Sequence, residues 1–350
     1  MSNDDTIGIG VIGYGYWGPN LVRNFAQTTG GRMVAVCDQN SARLDTVNKL
    51  YPALNTYDDV AEFLEDPALD AVVVATPVTT HHPLAKMALE AGKHVFVEKP
   101  FTATSEEGRE LVALGDERNL TVMVDHTFIY TSAVRKIHEL NSSGQLGQLY
   151  YYDSVRVNLG LFQSDVSVMW DLAVHDLSIM DYLLDRDPLT VAATGVAHVA
   201  GQPENMAYIT CMFPDNLIAH FHVNWLAPVK VRQTLVCGSE KMVVFDDVDM
   251  SEKIKVYDKG VTLDEADEST EYQRRVGYRS GDMWAPRLDN IEALAVETQH
   301  FVDCIRTGAT PLSDGRAGLR VVNILEAAHR SMESSGLPIP IEPMREVTAS

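Results

Sequence analysis

Residues 7–18 read Ile7-Gly8-Ile9-Gly10-Val11-Ile12-Gly13-Tyr14-Gly15-Tyr16-Trp17-Gly18, an apolar strand that runs straight into a glycine-rich turn. Leu21, Val22, Phe25 and Ala26 follow at helical spacing, so strand, turn and helix come in the order of a βαβ unit. The glycines of such a turn have separate uses: a tight turn, close approach of the backbone to a pyrophosphate, and close packing of helix on strand. A second strand, Met33-Val34-Ala35-Val36-Cys37, delivers Asp38, 20 residues past Gly18. A carboxylate at that place accepts hydrogen bonds from a ribose 2′-hydroxyl and repels a 2′-phosphate, which favours NAD over NADP as the dinucleotide. Arg43, five residues on, has the reach for a 2′-phosphate; its plainer reading is an exposed helix residue.

The same rhythm continues outward. Up to about residue 125, continuous apolar strands at 7–12, 33–37, 71–75, 94–97 and 120–124 alternate with helical segments near 19–28, 41–50, 58–64, 83–91 and 105–117. That alternation indicates a parallel sheet covered on both faces. After about residue 145 it stops. A strand at 148–158 and a helix near 169–185 lead into short strand-like runs between 190 and 257, and two helices, near 289–306 and 316–335, close the chain. The expected fold is α/β: a doubly wound, Rossmann-type parallel sheet in residues 1–127, then an α+β domain with a largely antiparallel open sheet in residues 128–350. The acidic run Asp264-Glu265-Ala266-Asp267-Glu268 reads as a solvated loop.

Charge narrows the partners. The 28 Lys and Arg against 49 Asp and Glu give a formal net charge of -21. Such a surface argues against nucleic acid or an anionic membrane as a partner, and means that an anionic ligand must be drawn by local groups. Four scattered cysteines (Cys37, Cys211, Cys237, Cys304) show neither a C-x-x-C nor a zinc spacing and read as buried thiols, so no metal is expected. The short acidic N-terminus is unlike a signal peptide, and no apolar run approaches the ~20 residues that span a bilayer. The expectation is a soluble, cytoplasmic protein.

Two further elements carry chemistry. The strand at 94–97 ends in Glu98-Lys99-Pro100, and strand ends of this kind of sheet face the ligand crevice, which would stand Lys99 beside a nicotinamide. Farther on, Trp170-Asp171-Leu172-Ala173-Val174-His175-Asp176 puts Asp171 and His175 four apart on a helix. Ser178 and Tyr182 extend that polar face, while Ala173, Leu177, Met180 and Leu184 form the core stripe opposite.

Together these pieces resemble the Gfo/Idh/MocA oxidoreductases. The resemblance rests on the Gly13–Gly18 turn, on Ala75-Thr76-Pro77 followed by His81, on the run Ala91 to Pro100 ending in Glu98-Lys99-Pro100, and on the later Asp171/His175 pair. It implies that Lys99, Asp171 and His175 meet the substrate beside the nicotinamide as catalytic residues. It also implies cofactor contacts from Gly13, Gly15, Tyr16, Trp17, Gly18, Asp38, Arg43, Thr76, Pro77, His81, Glu98 and Lys99. Within the family the glycine turn and the run Val155 to Gln163 look like members of sugar and nucleotide-sugar pathways, some of which oxidise carbon 3 of a UDP-N-acetylhexosamine. Arg156, Asn158 and Gln163, together with His126 at the end of the last parallel strand, are then the candidates for binding substrate, Arg156 being the bidentate option.

The expectation is an NAD-dependent dehydrogenase of a CH–OH group on a sugar, a nucleotide-linked one first, working as a homodimer or homotetramer as the family implies. Two alternatives stand beside it: an inositol or free-sugar dehydrogenase of the same family, and an NAD-binding regulator without turnover.

Overall fold

A computed structural model describes residues 6–160, 166–263 and 276–345; of the sequence candidates, Gln163 and the acidic run 264–268 lie outside them. In chain order the first elements are β1 (Ile7–Ile12), α1 (Gly18–Phe25), β2 (Gly31–Cys37), α2 (Ser41–Leu50), β3 (Asn55–Tyr57), α3 (Val60–Leu64), β4 (Ala71–Val74), α4 (His81–Glu90), β5 (His94–Val97), α5 (Ser105–Arg118) and β6 (Val122–Val124). After these come α6 (Ser132–Ser142), β7 (Leu149–Leu159), a π-helical turn (Met169–Ala173) leading into α7 (Val174–Leu184), β8 (Thr190–Val196), β9 (Met206–Met212), β10 (Ile218–Asn224), β11 (Leu226–Gly238), β12 (Met242–Asp246) and β13 (Ile254–Tyr257). The chain ends with β14 (Gly260–Leu263), β15 (Val276–Arg279), β16 (Met283–Trp284), α8 (Ala293–Thr307), α9 (Gly315–Glu333) and β17 (Ile339–Pro340).

Two compact units result, residues 1–131 with 291–326, and residues 132–290 with 327–350. In the N-terminal unit six parallel strands take the order β3-β2-β1-β4-β5-β6, the order of strand addition reversing between β1 and β4. That reversal is the switch point of a doubly wound sheet, where ligands bind outside the carboxyl ends of the strands. Continuous burial explains the apolar runs: Ala71, Val72, Val73 and Val74 are each fully buried. α5 starts with a reciprocal cap between Thr104 and Glu107 and stops at Asn119 in the left-handed conformation.

The sequence reading assigned everything after residue 127 to the second domain, yet α8 packs in the first. Phe301 of α8 meets Phe25 and Phe96 at ring-centroid separations of 6.1 and 5.5 Å, and Phe25 meets Phe96 at 5.6 Å, all edge to face. Each fully buried phenylalanine contributes about 1.5–3 kcal/mol, so this three-ring cluster is enough to hold a helix. Phe301 lies more than 200 residues from both of its partners, which leaves no local trace, because the helical period of α8 is the same whichever core it enters.

The C-terminal unit is a nine-stranded sheet in the order β16-β13-β12-β11-β7-β10-β9-β8-β17. Its pairs are antiparallel except β7 with β10, which run parallel. β17 returns from the end of α9 to pair with β8. A separate hairpin pairs β14 with β15.

Candidate active site

The glycine turn has the form that the sequence implies. Gly13 adopts φ +98°, and a Cβ there would sit 2.4 Å from the Ala75 carbonyl oxygen. A Cβ on Gly18 would lie 2.2 Å from the Gly13 carbonyl oxygen, so α1 can pack this close only with glycine. Gly15 differs: nothing but the Arg43 guanidinium comes within 4 Å of its Cβ position, which leaves its backbone open to a ligand. The N-terminus of α1 carries no side-chain cap, and Pro19 opens its first turn. Pro19 has no N–H and the Asn20 and Leu21 N–H groups donate to the Trp17 carbonyl, so what this turn offers a pyrophosphate is the open backbone at Gly15 beside the helix N-terminus, which fits a dinucleotide.

Asp38 stands at the end of β2, 7% exposed. Its Oδ2 accepts the Tyr14 main-chain N–H at 2.7 Å, and its Oδ1 accepts that of Asn40 at 2.8 Å. Arg43 Nη1 donates to Oδ2 at 3.2 Å. Arg43 keeps its plainer reading as an exposed residue of α2, its side chain 49% exposed, while leaning on the Asp38 carboxylate. Tyr16 is almost fully exposed and Trp17 one-third exposed at the same turn.

Thr76 and Pro77 follow β4, with Thr80 Oγ1 donating to Thr76 Oγ1 at 2.7 Å. His81 starts α4, but its ring turns inward and is 1% exposed. Its Nε2 lies 2.8 Å from the Thr76 carbonyl and its Nδ1 2.8 Å from that of Pro100. Burial, the largest influence, pushes its pKa down against those carbonyls. So His81 ties the exit of β4 to the exit of β5 and keeps no ring nitrogen for a cofactor, a correction to the sequence expectation.

Lys99 leaves β5 half-buried, followed by a cis peptide bond to Pro100. Its main-chain N–H donates to Glu98 Oε2 at 3.0 Å. Glu98, Asp125 at the end of β6 and Glu297 of α8 are 8%, 3% and 0% exposed. Burial first, then the neighbouring Asp125, pushes the carboxyls of Glu98 and Glu297 well above the usual range. Trp17 Nε1 donates to Asp125 Oδ2 at 3.1 Å, and the Thr127 hydroxyl donates to Oδ1. Sequence reasoning missed Asp125 and Glu297. The one signal for Glu297 was an acid at a core position of a helix, between Leu294 and Phe301. His126, beside Asp125, is 2% exposed.

In the C-terminal unit Asp171 lies within the π-helical turn and His175 in the first turn of α7. π-turns break the regular helical ladder and occur often at functional sites. Both side chains are half-exposed while their neighbours in this stretch of α7 are buried. Trp225 Nε1 donates to Asp171 Oδ2 at 3.2 Å. Gly160 makes room for that indole, since a Cβ there would sit 2.4 Å from its Cδ1. The polar face expected through Ser178 and Tyr182 ends early. Ser178 is 5% exposed and donates to the His175 carbonyl at 2.7 Å, and Tyr182 stacks on His138 at 4.4 Å.

Arg156 also departs from expectation. It is 2% exposed, and its Nε and Nη2 donate to the two oxygens of Asp176 at 2.9 and 2.8 Å. The bidentate geometry foreseen for a ligand serves a buried ion pair instead. Asn158, nearer the end of β7, stays half-exposed.

A switch-point glycine turn, an acid at the end of β2 and a lysine at the end of β5 define a dinucleotide-dependent oxidoreductase. Residues 7–126 match the oxidoreductase family described as an NAD-binding Rossmann fold, and residues 142–341 match its C-terminal alpha/beta domain. The chain belongs to this Gfo/Idh/MocA family. It is similar to the uncharacterized oxidoreductase YdgJ of Escherichia coli, 36% identical over 71% of this chain and 74% of the relative. It is 25% identical to UDP-N-acetylglucosamine 3-dehydrogenase of Acidithiobacillus ferrooxidans over 89% and 93% of the two chains. The solved structure of that enzyme superposes with a TM-score of 0.79 over 94% of this chain and 98% of the other. The NAD(+)-dependent scyllo-inositol 2-dehydrogenase of Bacillus subtilis is 24% identical over 98% and 97%. No helix among the described residues is long and apolar enough to cross a membrane.

Proposed function

We propose that the protein is an NAD-dependent dehydrogenase of a sugar secondary alcohol, with a UDP-N-acetylhexosamine oxidised at carbon 3 as the favoured substrate. What supports the reaction type is Lys99 at the end of β5 in the N-terminal unit and, in the C-terminal unit, the partly exposed polar residues Asp171 and His175, the same residues that carry the family resemblance. The dinucleotide supplies the hydride acceptor. His175 takes the hydroxyl proton as general base. Lys99 Nζ donates a hydrogen bond to the same oxygen and stabilises the developing alkoxide. Asp171, fixed by the Trp225 indole, orients His175 or holds an adjacent hydroxyl. Asp38 favours NAD over NADP, because Arg43 is already engaged by its carboxylate.

Purified protein offered NAD or NADP with UDP-sugars, free hexoses and inositols tests this reading through NADH absorbance and product mass. Loss of two daltons from a UDP-N-acetylhexosamine is the expected result. Lys99→Met should lower turnover about 100-fold or more with NAD affinity nearly intact. An active Lys99→Met enzyme sinks the assignment. The similarity to a scyllo-inositol dehydrogenase keeps an inositol or free-sugar substrate as the second reading. UDP alone separates the two, since it should raise Tm only where a nucleotide subsite exists. A regulator without turnover would have little use for Lys99, Asp171 and His175 together. A homodimer or homotetramer is part of the proposal, supported by Tyr208, Met212 and Ile218, which remain exposed on β9 and β10 of the large sheet. Light scattering tests that part.

A further inference from the structure

The buried ion pair of Arg156 has a charged neighbour inside the C-terminal unit. In the antiparallel pairing of β7 with β11, Arg156 stands opposite Arg232, so both side chains leave the same face of the sheet. Like charges set directly opposite each other cost stability, and each calls for an anion. Arg156 has Asp176 at two short contacts. Arg232 reaches Asp247 Oδ2 from Nη1 at 3.4 Å, long for a charged pair. Asp247 follows β12, and its N–H holds it in place by donating to the Arg232 carbonyl at 2.9 Å. Its other oxygen, however, accepts from Lys253 Nζ at 3.0 Å. Arg156, Arg232 and Lys253 therefore share Asp176 and Asp247, an excess of positive charge. Burial first, and then Arg156, lowers the pKa of Arg232, so a further negative charge beside it is favourable.

On a chain of net charge -21 an anionic ligand must be drawn by local groups, and this cluster is such a group. Exposure separates its two arginines. The side chain of Arg156 is 3% exposed and that of Arg232 is 25% exposed, so one is closed off and the other stays within reach of a ligand. A guanidinium presents a fork of N–H groups that matches two phosphate oxygens. We propose that Arg232 is a substrate-binding residue that holds a phosphate group, the phosphate displacing Asp247 as its partner while Lys253 keeps Asp247. Arg232 thus takes the bidentate role that sequence chemistry gives to Arg156. The inference rests on reading the substrate as nucleotide-linked, its diphosphate being the anion in question.

Calorimetry on the full chain tests this, with NAD saturating so that the dinucleotide turn is occupied, and with pyrophosphate and UDP as the probes. Wild type should bind pyrophosphate, and Arg232→Gln should weaken that binding about 20-fold, the worth of a charge-assisted fork. Arg232→Lys, which keeps the charge without the fork, should fall between the two. Asp247→Asn should bind pyrophosphate about fivefold tighter, because the competing carboxylate is gone, and a folding defect cannot produce a gain. Pyrophosphate that fails to bind wild type, or that binds Arg232→Gln equally well, overturns the proposal. So does weaker binding by Asp247→Asn. UDP judges the reading beneath it. UDP that binds wild type no more tightly than pyrophosphate removes the nucleotide and leaves the phosphate site at Arg232 standing.

Discussion

The two units bury polar groups in opposite ways. In the C-terminal unit Arg156 and Asp176, their side chains 3% and 4% exposed, neutralise each other through two short bonds, and the Tyr152 hydroxyl donates to the Asp176 carbonyl at 3.1 Å. In the N-terminal unit Glu98, Asp125 and Glu297 gather three carboxyls around neutral donors. A balanced pair holds β7 to α7 and has little left to offer a ligand. Burial pushes the Glu98 and Glu297 carboxyls up, an arrangement that makes sense beside a reacting centre more than in a scaffold.

The sharpest way to break the contrast is to unbalance the balanced pair. Asp176→Ala should destabilise the protein by about 3–5 kcal/mol, because it strands a buried guanidinium. Urea denaturation checks this, and replacing both partners by apolar residues (Arg156→Met with Asp176→Leu) should recover most of the loss. A small effect of Asp176→Ala would mean that the guanidinium finds other partners.

The acids predict a pH dependence of the other sign. Carboxyls raised in the fold keep protons that the unfolded chain releases. Their contribution is therefore fully present below the ordinary glutamate pKa of about 4.3 and is lost as pH rises toward the folded value. Glu297→Gln removes one such group, so Tm should fall less between about pH 4 and pH 8 in the variant than in wild type. Parallel Tm curves would return Glu297 to the status of an ordinary acid.

The smallest effect sharpens the comparison from outside. Arg23 makes the same fork with Glu292, at 2.6 and 3.0 Å, but the side chains are 41% and 49% exposed. Arg23→Ala should cost less than about 1 kcal/mol, and less again in high salt. Equal costs for Arg23→Ala and Asp176→Ala would show that burial is not what separates the pairs.

Much of this was legible beforehand wherever the signal is local. The glycine turn, Asp38 and the strand-end Lys99 follow from residues close in sequence, and so do five of the six parallel strands, whose continuous apolar runs need no distant partner; β3, Asn55-Thr56-Tyr57, has no such run and was not read. The Asp171/His175 pair was legible as well, though not the π-turn that carries Asp171. Arg156 and His81 were read as ligand groups because their chemistry allows it. What decided against that were Asp176, 20 residues from Arg156, and the Pro100 carbonyl, 19 residues from His81.

The sequence by itself determined the order of elements, the class of each sheet and the residue types at the dinucleotide turn, because periodicity and backbone sterics act within a few residues. Only the tertiary structure decided that α8 joins the first unit through Phe301, that Arg156 is a scaffold residue, and that the Trp17 indole donates to Asp125. Each of these depends on which side chains meet across long stretches of chain. Burial then decides what the meeting does, leaving the charge of Arg156 to be met by Asp176 and pushing the Glu98 and Glu297 carboxyls up.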